Sequence, residues 1–288
     1  MRNNTSRYIC LLLYISLILF AFKAISYSDM PTSGLVGYWK MDNHTDTILY
    51  DSTSNANNLT KVGNPLLDQP SMAGYDKAIG FQNNPNDAFF ISDTNQIGLD
   101  NMSELTISCW INHTLSDGVS GVIAGKWQIA GDNLSYLFYL NTNHYVTLKI
   151  AESDGTDGNA MAQGTTAIQS GLWAHVAGRA SSATDGFKIF VNGAPEGFNL
   201  PYPGSISNRS SDFMVGKEPN PIAHPFKGLI DELAIWNKAL SNIEISELVP
   251  TSTATPTRTK TPTQTKTPTN ASSPSPNQVG ENFWFYYK

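Results

Sequence analysis

Between residues 35 and 236 the apolar positions fall in short runs separated by clusters of Gly, Asn, Asp and Ser. Runs such as LTISCWI (105–111), YVTLKI (145–150) and FKIFV (187–191) are rich in β-branched and aromatic residues, the composition of strands bounded by turns. The pattern predicts strands over 35–41, 78–82, 88–92, 105–111, 121–124, 136–140, 145–150, 173–179, 187–191, 213–216 and 229–236. Asn192-Gly193 directly after FKIFV is a two-residue hairpin signal, because both residues tolerate positive φ. Pro195 restricts the return strand to an edge or a bulge. No helical period runs for three turns before residue 240. A short helix is expected just beyond it, opened by a capping box in which Ser241 and Glu244 satisfy two helix-terminal amides reciprocally. Many short strands with turn signals predict an all-β, antiparallel two-sheet sandwich or jelly roll ending in a short helix.

The two ends of the 288-residue chain read differently. Arg2 and Arg7 precede an apolar run over 8–22, followed by Lys23 and the small residues Ala24 and Ser26. That is the layout of a secretory signal over 1–26. The rival reading is an uncleaved anchor, but fifteen residues span only ~22 Å as a helix, short of a ~30 Å hydrocarbon core. The body, 27–249, has no second apolar stretch of that kind, so no membrane insertion is expected after cleavage. From residue 250 to 279 Thr and Pro repeats carry too few apolar residues for a core and predict an extended, disordered linker. Residues 280–288, GENFWFYYK, are read as a small or truncated terminal module, or else as a short peptide that docks elsewhere.

Charge narrows the partners. Residues 30–250 hold 11 Lys/Arg against 22 Asp/Glu. Nucleic acid and anionic lipid bind through basic patches, so neither is an expected partner. Of two cysteines, Cys10 lies in the signal and Cys109 in LTISCWI, where it reads as a buried free thiol. No disulfide framework is available. In the last strand, Asp231 and Glu232 interrupt an apolar run, and a buried carboxylate pair wants donors, a base or a metal.

Nine segments in order carry a resemblance to a known family: LVGYWKMDN, LYDSTSNANNLT, KAIGFQNNPNDAFFIS, LTISCWI, VIAGKW, GLWAHVAGRA, DGFKIFVNG, FMVGKE and FKGLIDELAIWNKALSNIEISEL. Together they resemble the successive strands of a laminin-G-like, pentraxin-related domain of the concanavalin-A-like superfamily. The resemblance implies two antiparallel sheets packed face to face, a calcium-assisted binding module and a secreted or cell-surface location. Calcium in such members ties the early loop to the late strand, which carries over to Asp51, Asn55 and Asp231, with Asp42 as a further acidic ligand. The chemistry suits calcium, which takes six to eight oxygens. The alternative is that Asp51 and Asn55 form Asx turns without any ion. On an ideal strand Glu232 would face away from Asp231. SDGTDGN (Asp154, Asp157, Asn159) reads as a solvated hairpin tip rather than a calcium loop.

Glycosidases of this superfamily set acidic residues alternately on one strand. Around Asp231 the alternate positions are Leu229 and Leu233, so that arrangement is missing, as are zinc spacings and a Gly-x-Ser-x-Gly elbow. His175 reads as a packed strand residue. Trp39, Trp110, Trp173 and Trp236 are expected in the core. Trp127, in the loop-like KWQIAGDN beside Asp132 and Asn133, and Tyr202, in LPYPGS, are the candidate ligand-binding residues, since exposed aromatics stack on sugar rings. The reading is a non-catalytic extracellular module that binds glycans or surface proteins. An accessory domain of a larger carbohydrate-active enzyme, or a passive adhesin spacer, is the alternative.

Overall fold

The computed structural model of the protein describes residues 30–250 except 73, 152–159, 184–185, 200–201, 203 and 220–223. The expected signal, the linker beyond residue 250, the aromatic end and all of SDGTDGN lie outside the described residues. In chain order the strands are β1 (Leu35–Trp39), β2 (Ile48–Leu49), β3 (Leu59–Val62), β4 (Leu66–Pro70), β5 (Lys77–Gln82), β6 (Ala88–Ile91), β7 (Leu105–His113), β8 (Gly121–Gln128) and β9 (Asn133–Leu140). There follow β10 (Tyr145–Ile150), β11 (Met161–Ala167), β12 (Ala174–Ala180), β13 (Lys188–Val191), β14 (Ala194–Glu196), β15 (Phe198–Asn199), β16 (Phe213–Val215), β17 (Lys227–Trp236) and α1 (Asn242–Glu247).

All strand pairs are antiparallel, and they form two sheets. The first runs β14-β13-β12-β7-β17-β5-β4, with β1 also paired to β17. The second runs β15-β11-β10-β9-β8-β16-β6-β3-β2. Alternation along each strand aims one set of side chains inward. Ile107, Cys109 and Ile111 of β7 meet Phe138 and Leu148 of the second sheet in a single buried cluster. Trp39 of β1 stacks on Phe213 of β16, ring centres 5.2 Å apart, tying the two layers together. Its indole N–H donates to the Asn57 carbonyl, so the burial leaves no orphan donor.

The local signals act as expected. Asn192 and Gly193 have φ of 49° and 79° in the β13–β14 turn, and Pro195 lies in the edge strand β14. Both halves of the Ser241–Glu244 capping box are made. The helix lays Ile245 against Phe190, Trp236 and Leu240 on the outer side of the first sheet. Cys109 is a buried free thiol, and burial raises its pKa. No helix among the described residues is long and apolar enough to cross a membrane.

Candidate functional site

The last strand changes neighbours halfway along, and the site lies at the change. Residues Lys227 to Ile230 of β17 pair with β5, while Leu233 to Trp236 pair with β1. Asp231 and Glu232 lie in the gap between. On the other edge, Asp231 opposes Trp110 and Ala234 opposes Ser108, so β17 carries one extra residue there. This is a β-bulge, with Glu232 at a left-handed φ of 51°. Its backbone N–H donates to Asp231 Oδ1 at 2.8 Å. The two carboxylates have different surroundings, Asp231 bonded to Ser71 and Glu232 to Tyr38, yet they are close enough for the charge of Glu232 to act on Asp231.

Asp231 is fully buried and its second oxygen accepts from the Ser71 hydroxyl. Half-buried Glu232 accepts from the Tyr38 hydroxyl. Burial, reinforced by each carboxylate's acidic neighbours, pushes both pKa values up to about 7. Tyr38 is pushed up as well, by burial and then by Glu232. Above Glu232 opens a cleft of about 530 Å³. One wall comes from β1 and its exit (Tyr38, Lys40, Asp42), the other from the lead-in to β5 (Gly74, Tyr75, Asp76). Tyr75 rests on Trp110, centroids 6.1 Å apart, and Trp110 on His175 at 5.4 Å. Trp110 thus packs on the outer face of the first sheet rather than between the sheets. His175 is 1% exposed, and desolvation lowers its pKa to about 3, which removes it as a base.

Of the proposed calcium ligands, Asp42 and Asp231 are close enough to interact electrostatically, but the four do not form one cluster. Asp51 Oδ1 accepts from the Tyr38 and Thr53 amides, and Oδ2 accepts from the Thr53 hydroxyl and the Asn57 amide. Its oxygens are therefore engaged in an Asx-type loop. Asn55 donates its side-chain amide to the Val36 carbonyl at 3.0 Å. Asp231 is taken up by Ser71, and Asp42 lines the cleft. Among the described residues no group of three or more His, Cys, Asp or Glu side chains could hold a metal ion. The four residues do not fit a shared calcium site.

The candidate sugar-binding residues are also separated. Trp127 lies in β8, paired with Leu134, and is 2% exposed; β8 extends four residues past the expected strand. It belongs to a small apolar cluster of the second sheet with Val122, Leu134, Leu137 and Ala151, distinct from the main core. The Lys149 ammonium sits 5.2 Å from its ring centre. Trp127 still lines a recess of about 330 Å³ with Ile129, Tyr139 and His224, but as a buried wall rather than an exposed platform. Asp132 is exposed at the β8–β9 turn, and Asn133 begins β9, its side chain accepting from Ser210. Tyr202 is half-buried, packs edge-on against Phe187 and donates to the Ser103 carbonyl at 2.6 Å, closing the core there. Trp39 and Trp236 are buried as expected, whereas Trp173 is half-buried just ahead of β12. Tyr38 and Lys40 fall within LVGYWKMDN, but nothing in the sequence marks them or Tyr75 as sharing a cleft with Glu232.

Residues 83–246 match a laminin-G family model described as the concanavalin A-like lectin/glucanases superfamily. No curated protein matches the sequence. Among solved structures, domain 4 of AbnA, an extracellular arabinanase from Geobacillus stearothermophilus solved with arabinotriose, has a TM-score of 0.55 at 20% identity, over 75% of this chain and 98% of that domain. The binding domain of Paraclostridial Mosquitocidal Protein 1 gives 0.56 at 16% identity, over 75% of this chain and 51% of that one. Trypanosoma rangeli sialidase in complex with sialic acid gives 0.57 at 14%, over 83% and 38%. The chain thus spans about half of the toxin domain and less of the sialidase. At these identities the likeness is one of fold.

Proposed function

The chain belongs to the concanavalin A-like lectin/glucanases superfamily, and on that premise we propose that its sandwich is a non-catalytic module that holds glycans in the cleft above Glu232. The observation that carries the proposal is the make-up of that cleft: two tyrosines, Tyr38 and Tyr75, face a floor and rim of Glu232, Asp42 and Asp76. Sugars present flat C–H faces that stack on aromatic rings and hydroxyls that donate to carboxylates. The structural relatives solved with arabinotriose and with sialic acid lend weight to the same reading.

Catalysis is left out of the proposal on chemical grounds. The acid pair is adjacent rather than alternate, and Asp231 is sealed from the cleft beneath Ser71. Glycoside hydrolysis uses two carboxylates flanking the scissile bond. The module acts outside the cell in this reading, on the strength of the basic and apolar start of the chain; an exported protein should begin near Tyr27 on N-terminal sequencing. The near-complete overlap with an arabinanase domain favours one further reading, an accessory domain beside a catalytic partner, tested by whether the native polypeptide from its source is larger than 288 residues.

The direct test is an immobilised glycan array probed with wild type and with Tyr75→Ala, alongside their melting curves. Retention of a glycan class by wild type and its loss in a folded Tyr75→Ala supports the cleft. Equal retention by both removes the cleft from the account.

A further inference from the structure

We propose that the cleft between the end of β1 and the start of β5 selects an amino sugar, its ammonium seated among Glu232, Asp42 and Asp76 and its ring against Tyr38 and Tyr75. The inference rests on the glycan reading and names the ligand class.

The balance of donors and acceptors in the cleft carries it. Its lining holds the carboxylates of Asp42, Asp76, Glu232 and Glu247, which only accept when ionised. Against them stands one lysine, Lys40, whose ammonium lies 5.7 Å from the Tyr38 ring centre. The Tyr38 hydroxyl already donates to Glu232. A neutral sugar brings hydroxyls that both donate and accept, and its acceptors would meet few donors here. An acidic sugar would meet like charge. An ammonium offers three donors and no acceptor, which matches this lining.

Charge and aromatic geometry point the same way. Among the described residues neither Asp231 nor Glu232 is in an ion pair; their polar partners are Ser71, Tyr38 and the Glu232 amide. Lys40 is the one cation in the lining and acts on Glu232, but Asp42, Asp76 and Glu247 share the lining, so the cleft keeps an excess of negative charge that an entering ammonium offsets. Tyrosine faces attract cations: Lys40 already lies 5.7 Å from the Tyr38 ring centre, and Tyr75 supplies a second ring in the lining. The cleft's geometry also leaves room, since about 530 Å³ accommodates more than a single sugar ring.

The experiment is calorimetric titration of the full chain, at ~0.15 M salt, with a glucosamine trisaccharide and with the same trisaccharide N-acetylated. The amine form should bind about tenfold tighter or more, the worth of one hydrogen bond to a charged group. Glu232→Gln should abolish that preference. Asp68→Asn removes the same charge from a side chain that is 67% exposed and outside the cleft, and should keep it. Equal binding of the two trisaccharides overturns the amine assignment while leaving the glycan reading intact. Loss of the preference in Asp68→Asn as well means diffuse attraction to an acidic surface and overturns it too. If neither trisaccharide binds while the array shows another glycan held in the cleft, the ligand class is wrong; if the array is also blank, both readings fall.

Discussion

Replacing Glu232 by Gln tests the carboxylate pair through stability alone, before any ligand is known. Burial is the main cause that lifts Glu232 from 4.5 to about 7, with the charge of Asp42 adding to it and Tyr38 and Lys40 opposing. In the unfolded chain the same carboxyl titrates near its ordinary value. Between these two values the folded protein binds more protons than the unfolded one, so stability falls as pH rises from about 4.5 through about 7. It is level below and above that window. At 1.36 kcal/mol per pKa unit the full difference is about 3 kcal/mol, and partial exposure of Glu232 reduces it to about 2 kcal/mol. For a domain of this size each kcal/mol moves Tm by ~2–4 °C. Gln keeps the shape and cannot ionise. Calorimetric melting of both proteins at pH 5 and pH 8 should therefore show Glu232→Gln gaining ~4–8 °C relative to wild type between the two conditions. A residual slope of the same sign should persist in the variant, because Asp231 is also raised to about 7. Parallel Tm–pH curves for the two proteins would refute the reasoning and return Glu232 to an ordinary exposed acid.

Other consequences follow from other parts of the fold. Lys126 is fully buried and its ammonium donates to Asp93 at 2.6 Å and Asp100 at 2.7 Å, so Lys126→Met strands two carboxylates and should cost ~3–5 kcal/mol in urea unfolding. Asp51→Ala leaves four donors without their acceptor and should cost ~3 kcal/mol, whereas chelator should leave the wild-type melting curve unchanged; a chelator-induced drop would reveal a calcium site that the observed ligands do not make. Trp127→Ala should lower stability by ~3–5 kcal/mol as a buried aromatic, and an unchanged Tm would restore it to the surface.

The elements that the sequence predicted well are those fixed by neighbours along the chain. The capping box of α1 needs only Ser241 and Glu244, and the β13–β14 turn needs only Asn192-Gly193, so both were legible. The interior alternation of β7 was legible for the same reason. What escaped depends on partners distant in sequence. KWQIAGDN has a loop's composition, yet β8 continues through Trp127 because β9 pairs with it as far as Asn133. The bulge at Glu232 arises from register against β7, where three steps on β17 answer two on its partner, and no residue type announces it. Asp51 could be read as a calcium ligand or as a turn former, and only the positions of Tyr38, Thr53 and Asn57 decide for the turn. Likewise Tyr38, in β1, and Tyr75, just ahead of β5, line one cleft only because β17 exchanges β5 for β1 at the gap.

The central claim is that a glycan sits in the cleft above Glu232, and nuclear magnetic resonance maps that location most directly. The isotopically labelled protein is titrated with the strongest glycan from the array, and amide shifts are followed to saturation. The account predicts perturbations centred on residues 38–42, 74–76 and 231–233, the two walls and the floor of the cleft. Perturbations centred instead on Trp127, Tyr139 and His224, around the recess of the second sheet, with the cleft silent, would contradict it.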